Sequence, residues 1–417
     1  MANLSFKWLA LVGGLAVGAA ASACAQDSGA LLDALVRKGI LNDQEAENIR
    51  ADLARDSNVI PSAVFAGGKS TDRLSLGMRL QAQFANLNTD VKNAPDPAAT
   101  EHMFLRRAYL TLKAGLGAEW SAIVTYDFAG SSYDDAIVEW RKSPDFSVDI
   151  GLRKVAVAYE ERSTSGDLRS IERSPVTRYF VEANNGRRLG AASYRMGVFV
   201  DGKKDHFVYS AAITTPERTD NFTLASDAGN STNNNPAYWG TAAYTDKIPT
   251  GGTYIVGVGM GYLPDQGGPS NTGLGKGWDL KLYSVYADVT AGRFGLMAEY
   301  LEAKVDAGAS ATKDASPKGF FVQPTFLVTD TLQAVARYSW LDSDGRGVNL
   351  SDGVRSAPSG GTMNKMSEYY VGGNWYIKGN DLKFQLGGLY AESKDTVTGL
   401  PAKASTYGVR SQMQLQF

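Results

Sequence analysis

The sequence predicts an all-β fold, a transmembrane antiparallel β-barrel of about 16 strands behind a short N-terminal periplasmic helical segment. Three observations lead to this prediction. The chain opens with an export signal, but no later apolar run reaches the roughly 20 residues of a membrane helix. From residue 73 onward, apolar and polar residues alternate as in strands, with tight and long connections in turn. The last strand ends the chain on an aromatic residue, Phe417.

Residues 1–25 have the form of a secretory signal peptide. A basic residue precedes an apolar run over residues 8–21, and small residues follow. Cleavage after residue 25 or after residue 23 satisfies the small-x-small rule. The first cut removes Cys24, the one cysteine of the chain, and the second leaves it at the N-terminus for lipidation. Both cuts predict a protein without internal disulfides, exported to the outer membrane of a Gram-negative bacterium.

Residues 26–57 differ in pattern from the rest of the chain. Apolar residues recur at helical spacing from Leu31 to Val36, and Gly39 interrupts them before a second helical pattern. The segment is therefore predicted to be a coiled-coil-like periplasmic helical segment. Its role stays open between a trimer clamp, a peptidoglycan contact and an assembly signal. Residues 58–72 are predicted to form a linker to the barrel at 73–417.

Residues 73–417 contain sixteen candidate strands. Every second connection between them is tight, and the others are mostly long, with 129–132 as the exception. This regular segregation is typical of outer-membrane barrels, with short periplasmic turns and longer extracellular loops. Because every backbone polar group must be paired in hydrocarbon, the sheet is expected to close on itself. The candidate strands are 73–87, 102–114, 119–128, 133–141, 146–152, 188–201, 206–215, 238–245, 252–263, 278–289, 293–304, 318–328, 331–341, 366–378, 381–393 and 404–417.

The final strand has two chemically different faces. The apolar face is predicted to contact membrane lipid, and the polar face is predicted to line a wet lumen. A terminal aromatic residue is typical of outer-membrane barrels, so Phe417 is the predicted signal to the barrel assembly machinery. The apolar face carries Tyr407, Val409, Met413, Leu415 and Phe417, and the polar face carries Arg410, Gln412, Gln414 and Gln416.

The connection 153–187 is the longest in the barrel and is rich in charge. From Arg153 to Arg188 there are eight basic and five acidic residues, a surplus of three positive charges in a chain of formal charge −2. A sixteen-stranded barrel encloses an aqueous channel, which a loop folded inward can narrow. Rings of basic side chains favour anions, and a guanidinium can hold phosphate through two parallel hydrogen bonds. The loop is therefore predicted to form a basic constriction.

Several motifs resemble the phosphate-selective porin O and P family. The run from Phe104 to Leu110, FLRRAYL, is similar to the family's second strand with one leucine inserted. Matches to the family's later motifs follow in order at 151–154, 160–165, 171–174 and 186–190. Residues 155–158 depart from it, because VAVA replaces the usual Pro-Phe-Gly-like turn. The resemblance implies a homotrimer of sixteen-stranded porin barrels, with an arginine ladder leading to a lysine-bearing constriction.

The resemblance implies which residues line the pore and bind anions. On a regular strand, Arg106 and Arg107 cannot both face the lumen, and Arg107 is preferred because it shares a face with Tyr109. The acidic neighbour of Arg173, Glu172, is an available counter-charge. The complete predicted set is Arg107, Arg106, Tyr109, Lys154, Arg153, Arg173, Arg187 and Arg188.

The resulting prediction is a passive outer-membrane channel that favours small anions such as phosphate or polyphosphate. Its partners are these anions, membrane lipid and further copies of the chain, and no nucleic acid. Two alternatives stay open, a general porin with a transverse field and a non-conducting structural or adhesive barrel. An enzyme is not expected, because His102 and His206 lie in no nucleophile motif. No catalytic residue, metal site or cofactor is predicted, and the preferred solute is left undetermined.

Overall fold

The barrel prediction is confirmed in the computed structural model. The structure describes residues 64–66, 73–216, 235–249, 251–269, 277–396 and 402–417. The predicted signal peptide, the helical segment 26–57 and most of the linker lie outside the described residues. None of the three short helices in the described ranges is long and apolar enough to cross a bilayer.

The described elements are mostly strands. The strands are β1 Val64–Ala66, β2 Arg73–Val91, β3 Thr100–Leu116, β4 Trp120–Asp127, β5 Ser132–Ser143, β6 Phe146–Lys154, β7 Tyr194–Lys204, β8 Phe207–Thr214, β9 Ala237–Lys247, β10 Gly252–Leu263, β11 Leu280–Ala291, β12 Phe294–Ser310, β13 Lys313–Ala315, β14 Lys318–Leu327, β15 Leu332–Asp342, β16 Met363–Lys378, β17 Leu382–Thr396 and β18 Lys403–Gln416. The helices are α1 Tyr159–Arg162, α2 Pro175–Val181 and α3 Leu350–Gly353.

The barrel wall in the described residues consists of sixteen strands, β2–β12 and β14–β18. Each pairs antiparallel with its neighbour along the chain, and β18 closes the ring against β2 from Ala404–Val91 to Gln416–Arg79. Closure leaves no open sheet edge in hydrocarbon. The short β1, which lies within the predicted linker, pairs with the start of β2. Strand β13 pairs with the end of β12 and extends that hairpin into a long connection.

Burial follows the predicted alternation along the last strand. Val409 and Met413 are 48% and 42% exposed on the outer face, whereas Arg410 and Gln412 are 2% exposed. The apolar face therefore meets the membrane and the polar face meets the barrel interior. The tight turns mark the periplasmic end and the long connections mark the extracellular end.

Strand β7 begins later than predicted. Residues 188–193 continue the preceding connection instead of joining the wall. The backbone N–H groups of Leu189 and Ala191 donate to the carbonyl oxygens of Tyr179 and Phe180 on α2, at 2.9 Å each. Helix α2, inside the barrel, supplies these hydrogen-bond partners, which a strand pattern does not reveal. The wall strand therefore starts at Tyr194.

The seam between β18 and β2 depends on Gly408. Its φ is +155°, and an added Cβ would lie 2.0 Å from the backbone oxygen of Asn86. We predict that Gly408→Ala lowers the melting temperature of the barrel, because the clash forces the closing strands apart. The melting temperature is measured by heating samples before gel electrophoresis and following the loss of the folded, faster-migrating band. Gly388→Ala is the control, because its Cβ would lie 3.7 Å from the nearest heavy atom, and equal melting temperatures for both variants would contradict the prediction.

Candidate selectivity site inside the barrel

The connection between β6 and β7, residues 155–193, lies inside the barrel. It first approaches β10, where the Val157 carbonyl oxygen would lie 2.6 Å from a Cβ added at Gly259. Only a residue without a side chain allows this approach. The four residues 155–158, where the chain departs from the family motif, are buried there. The apolar VAVA segment therefore seats the start of the loop against the wall.

The wall holds the loop backbone through polar side chains. Lys383 on β17 donates to the carbonyl oxygens of Gly166 and Leu168, at 2.6 and 3.1 Å. Gln81 on β2 donates to the carbonyl oxygen of Ser165 at 3.1 Å. These bonds satisfy carbonyl groups that would otherwise be buried without partners. The loop is thus fixed along β17 and β2.

Charged wall residues fix the loop further. Arg337 on β15 donates to the Ser170 hydroxyl at 2.7 Å and to the Glu172 carbonyl oxygen at 2.9 Å. The Glu299 carboxylate on β12 accepts the N–H groups of Tyr159 and Glu160, at 2.6 and 3.0 Å. A carboxylate at these first N–H groups of α1 satisfies donors that a helix leaves free. The loop is therefore held as a fixed insert.

Helix α2 supplies the apolar anchor of the loop. All seven of its residues are buried, and Tyr179 and Phe180 are fully so. The Ser174 side chain accepts the Thr177 N–H at 3.0 Å, and Pro175 occupies the first turn. A serine cap followed by proline favours a helix start at this position.

A second connection, residues 343–362, also folds onto the loop, and sequence reasoning missed it. Arg178 donates to the Gly353 carbonyl oxygen at 3.1 Å, and Tyr179 donates to the Gly347 carbonyl oxygen at 3.1 Å. Asp352 and Asn349 form a capping box at the start of α3. That Asn-x-x-Asp spacing is the sequence signal that indicates structure within this connection.

Arg106 and Arg107 both point into the barrel. The ladder pairs Gln81 with Arg107 and then Ala82 with Leu105, so Arg106 is an extra residue in a β-bulge. The expectation that only one of them faces inward assumed a regular strand and is wrong for this reason. Arg106 donates to Glu172 at 2.7 Å, and Arg107 donates to Gln81 at 2.8 Å.

The extracellular side of the loop carries a group of six arginines around two glutamates, hereafter the upper arginine cluster. Glu172 contacts Arg106 at 2.7 Å and Arg355 at 3.4 Å. Glu182 contacts Arg355, Arg178 and Arg188 at 2.6, 3.0 and 2.7 Å. Six guanidinium groups and two carboxylates leave a surplus of four positive charges. The arginines are Arg106, Arg107, Arg178, Arg188, Arg355 and Arg410.

Arg107 and Arg410 have no carboxylate partner of their own among the described residues. Arg410 is 2% exposed and donates to the Arg355 carbonyl oxygen, and its Nη1 has no hydrogen-bond partner in the described part of the chain. A buried guanidinium without a counter-charge raises the local positive potential. The charges of these two wall arginines are therefore the ones in the cluster that no adjacent described carboxylate neutralises.

The ionisation of the loop groups reflects this crowding. Burial opposes the charged form of Glu182, yet Arg178 and Arg355 hold the pKa of its carboxyl below the ordinary value. The pKa of Glu172 is likewise lowered against burial, by Arg106 and Arg355. The pKa of Arg355 is lowered, first by burial and then by repulsion from Arg178. Both glutamates are therefore ionised at neutral pH, and the surplus of four positive charges already counts them as negative.

A cavity of about 680 Å³ lies below the loop and reaches the periplasmic rim, hereafter the lower cavity. Three predicted residues line it, namely Tyr109, Arg153 and Lys154. Arg153 is paired with Asp149 and with Asp201, and Lys154 is paired with Glu161 at 3.0 Å. Four basic and four aspartate side chains line the lower cavity, so the charges of the lining side chains cancel before Asp201 and Glu161 outside the lining are counted. They are Arg79, Arg153, Lys154 and Arg162, with Asp134, Asp135, Asp149 and Asp381.

The remaining predicted basic residues have definite partners. Arg173 pairs with Glu161 at 2.9 Å and also donates to carbonyl oxygens of the loop. Arg187 pairs with Asp352 at 2.6 Å. Glu172, the predicted counter-charge of Arg173, instead pairs with Arg106 and Arg355. No set of three His, Cys, Asp or Glu side chains in the described ranges could hold a metal ion.

A closed sixteen-stranded barrel with a charged loop inserted into its lumen is the architecture of an outer-membrane porin. The family comparison agrees: residues 74–417 match the model described as phosphate-selective porin O and P. The chain belongs to this family and localises to the outer membrane. The family identified by the sequence motifs is thereby confirmed.

Solved structures with a similar fold are porins and channels of low sequence identity. An anion-selective porin from Comamonas acidovorans is 14% identical, with a TM-score of 0.56, and the match covers 83% of this chain and all of that one. The outer membrane channel DcaP of Acinetobacter baumannii is 11% identical, with a TM-score of 0.55, covering 85% of this chain and all of that one. No curated protein matches the chain. At this identity the similarity supports the barrel fold.

We predict that Arg337→Gln loosens the loop, because Arg337 is buried between Glu368 at 3.0 Å and the loop. Removing one partner of a buried pair costs about 3–5 kcal/mol. The expected result is a noisier open-channel current in bilayers and new protease cleavage within 155–193.

The control for this prediction is Arg293→Gln. The Arg293–Asp330 pair lies on the surface, with side chains 53% and 95% exposed, so its loss is expected to change neither readout. A quiet, protease-resistant Arg337→Gln channel would contradict the anchoring role.

Proposed function

We propose that this porin favours anions and that the upper arginine cluster is its selectivity element. The observation that carries the proposal is the surplus of four positive charges beside the lumen loop. One unit charge about 8 Å from an ion in water contributes roughly 0.5 kcal/mol. Four such charges would favour an anion by roughly 2 kcal/mol, about 30-fold before screening by salt.

Phosphate is the first candidate solute. The side chains of Arg106, Arg188 and Arg355 are 16%, 19% and 29% exposed, so their guanidinium groups are accessible in part. A guanidinium can bind two phosphate oxygens side by side, which a lysine ammonium cannot do. The family description supports the same candidate.

A general porin with a transverse field is the second candidate function. The lower cavity supports it, because its four basic and four aspartate side chains cancel in charge. In that case the lower cavity would dominate selectivity, and the channel would show little preference between chloride and potassium. A non-conducting structural or adhesive barrel would show no current at all.

The test is the reversal potential of the purified protein in a planar bilayer across a KCl gradient, followed by titration with phosphate. The expected result is chloride preference and a current that falls as phosphate is added. Chloride preference without a phosphate effect would limit the proposal to anions in general. Potassium preference, equal permeability or absence of conductance would reject it.

Arg355, a member of the upper arginine cluster, is expected to contribute more to selectivity than the basic residues of the lower cavity. Without Arg355, Glu172 keeps Arg106, and Glu182 keeps Arg178 and Arg188. We therefore expect Arg355→Gln to fold and to lower the chloride-to-potassium permeability ratio by up to about fivefold, with Arg355→Glu lowering it by up to about 30-fold before screening by salt. Reversal potentials measure both.

Lys154→Gln is the matched control. Glu161 keeps Arg173 as its partner at 2.9 Å in this variant, so the variant removes one positive charge as Arg355→Gln does, but at the lower cavity instead of the upper arginine cluster. Its permeability ratio is expected to change less than that of Arg355→Gln. A larger effect of Lys154→Gln would place selectivity at the lower cavity instead.

We further propose that the chain is processed after Ala25 and assembles as a homotrimer. The signal pattern supports processing, and the family resemblance supports trimers. The expected native mass is that of three copies of residues 26–417, measured by mass spectrometry of detergent-extracted protein. A monomeric mass would reject assembly, and a lipid-modified chain beginning at Cys24 would reject the cleavage site.

A further inference from the structure

We propose that the lower cavity binds small zwitterions, solutes that carry an ammonium group and a carboxylate. The proposal goes beyond anion selectivity and involves none of the upper arginine cluster. It rests on charges of opposite sign that form no ion pair with a described residue and that lie on separate elements lining the lower cavity. The positive groups lie on β2 and on α1 of the loop, and the negative groups lie on β5.

The positive side consists of Arg79 and Arg162. Arg79 is half-buried and, within the described ranges, donates only to neutral oxygens, those of Ser165 at 2.9 Å and Gln416 at 2.8 Å. Its guanidinium also lies 5.6 Å from the centre of the Tyr109 ring. The Arg162 guanidinium lies 5.3 Å from the centre of the Tyr159 ring. Among the described residues neither guanidinium has an ion pair with a carboxylate.

The negative side consists of two consecutive aspartates. The β4–β5 ladder pairs Thr125 with Asp135 and then Tyr126 with Tyr133, so Asp134 is the extra residue of a bulge. The bulge allows consecutive residues to reach the same face of the strand. Asp134 accepts the Tyr194 hydroxyl at 2.6 Å. The half-buried Asp135 carboxylate has neither a hydrogen bond nor an ion pair with any described residue.

The other charges of the lower cavity are arranged differently. Arg153 and Asp149 form a pair with each other, and Lys154 is paired with Glu161. Asp381 lies in a periplasmic turn on the Arg79 side of the cavity, where its backbone carbonyl oxygen accepts the N–H of Gln416. Apart from Asp381, the lining charges that form no ion pair with a described residue are therefore cationic on β2 and α1 and anionic on β5. A simple ion gains little from this balance, whereas a dipolar solute gains from both sides at once.

The size of the cavity fits this ligand class. About 680 Å³ admits an amino acid or an ω-amino acid together with water. The expected pose places the solute carboxylate toward Arg79 and Arg162, and its ammonium toward Asp134 and Asp135. Tyr109, which contacts Arg79, would cover the aliphatic chain between the two ends.

The test compares 4-aminobutyrate with 4-hydroxybutanamide, a neutral solute with the same number of heavy atoms. Initial uptake into proteoliposomes is measured for both at low micromolar concentration, where flux follows partition into the channel. In the wild-type protein, uptake of 4-aminobutyrate is expected to exceed that of the neutral solute about threefold to fivefold, the range of a partly exposed ion pair. Equal uptake would overturn the proposal.

Substitutions identify which charges are responsible. Asp135→Asn and Arg79→Gln are each expected to bring the uptake ratio close to one, whereas Arg355→Gln should leave it unchanged. Persistence of the ratio in both lower-cavity variants would overturn the proposal. The reversal potential of the same preparations reports anion selectivity separately, so failure of either proposal is distinguishable from failure of the other. Uptake of the neutral solute serves as the check that each variant forms an open barrel.

Discussion

The inserted loop must find partners for its buried polar groups, many of them on the barrel wall, and the rest of the interior depends on this constraint. A sixteen-stranded wall is too wide for its own side chains to fill. Residues 155–193 enter the space, and their carbonyl and N–H groups meet Lys383, Gln81, Arg337 and Glu299. These wall residues belong to strands that are distant in sequence. The insert is stable only because the closed barrel places them around it.

This constraint separates structural charges from functional ones. Arg337, Arg173 and Arg187 each have a carboxylate partner or hold the loop backbone, so they add little to the field acting on a solute. The upper arginine cluster is different, because its six arginines exceed the carboxylates that the loop offers. Fixed groups that are not compensated act on ions without first having to reorganise. Selectivity therefore follows from the uncompensated remainder, not from the total number of basic residues.

The sequence predicted the wall well because strand alternation and turn placement are local signals. All sixteen strands were predicted, and β18 has the expected lipid and lumen faces. The interior was predicted less completely, because its contacts join residues far apart in the chain. The bulge at Arg106 was visible only as an inserted leucine in the family motif, and its effect on direction required the register with Gln81. Arg355 was missed because its role depends on a second connection folding onto the first.

If the upper arginine cluster selects anions, an anion binds beside its partly exposed arginines, where the surplus of positive charge lies. Anomalous diffraction from crystals soaked in bromide would locate a bound anion directly. A bromide peak is expected within contact distance of Arg355, Arg188 or Arg106. Peaks confined to the surroundings of Lys154 and Arg153, with none at the upper arginine cluster, would contradict it.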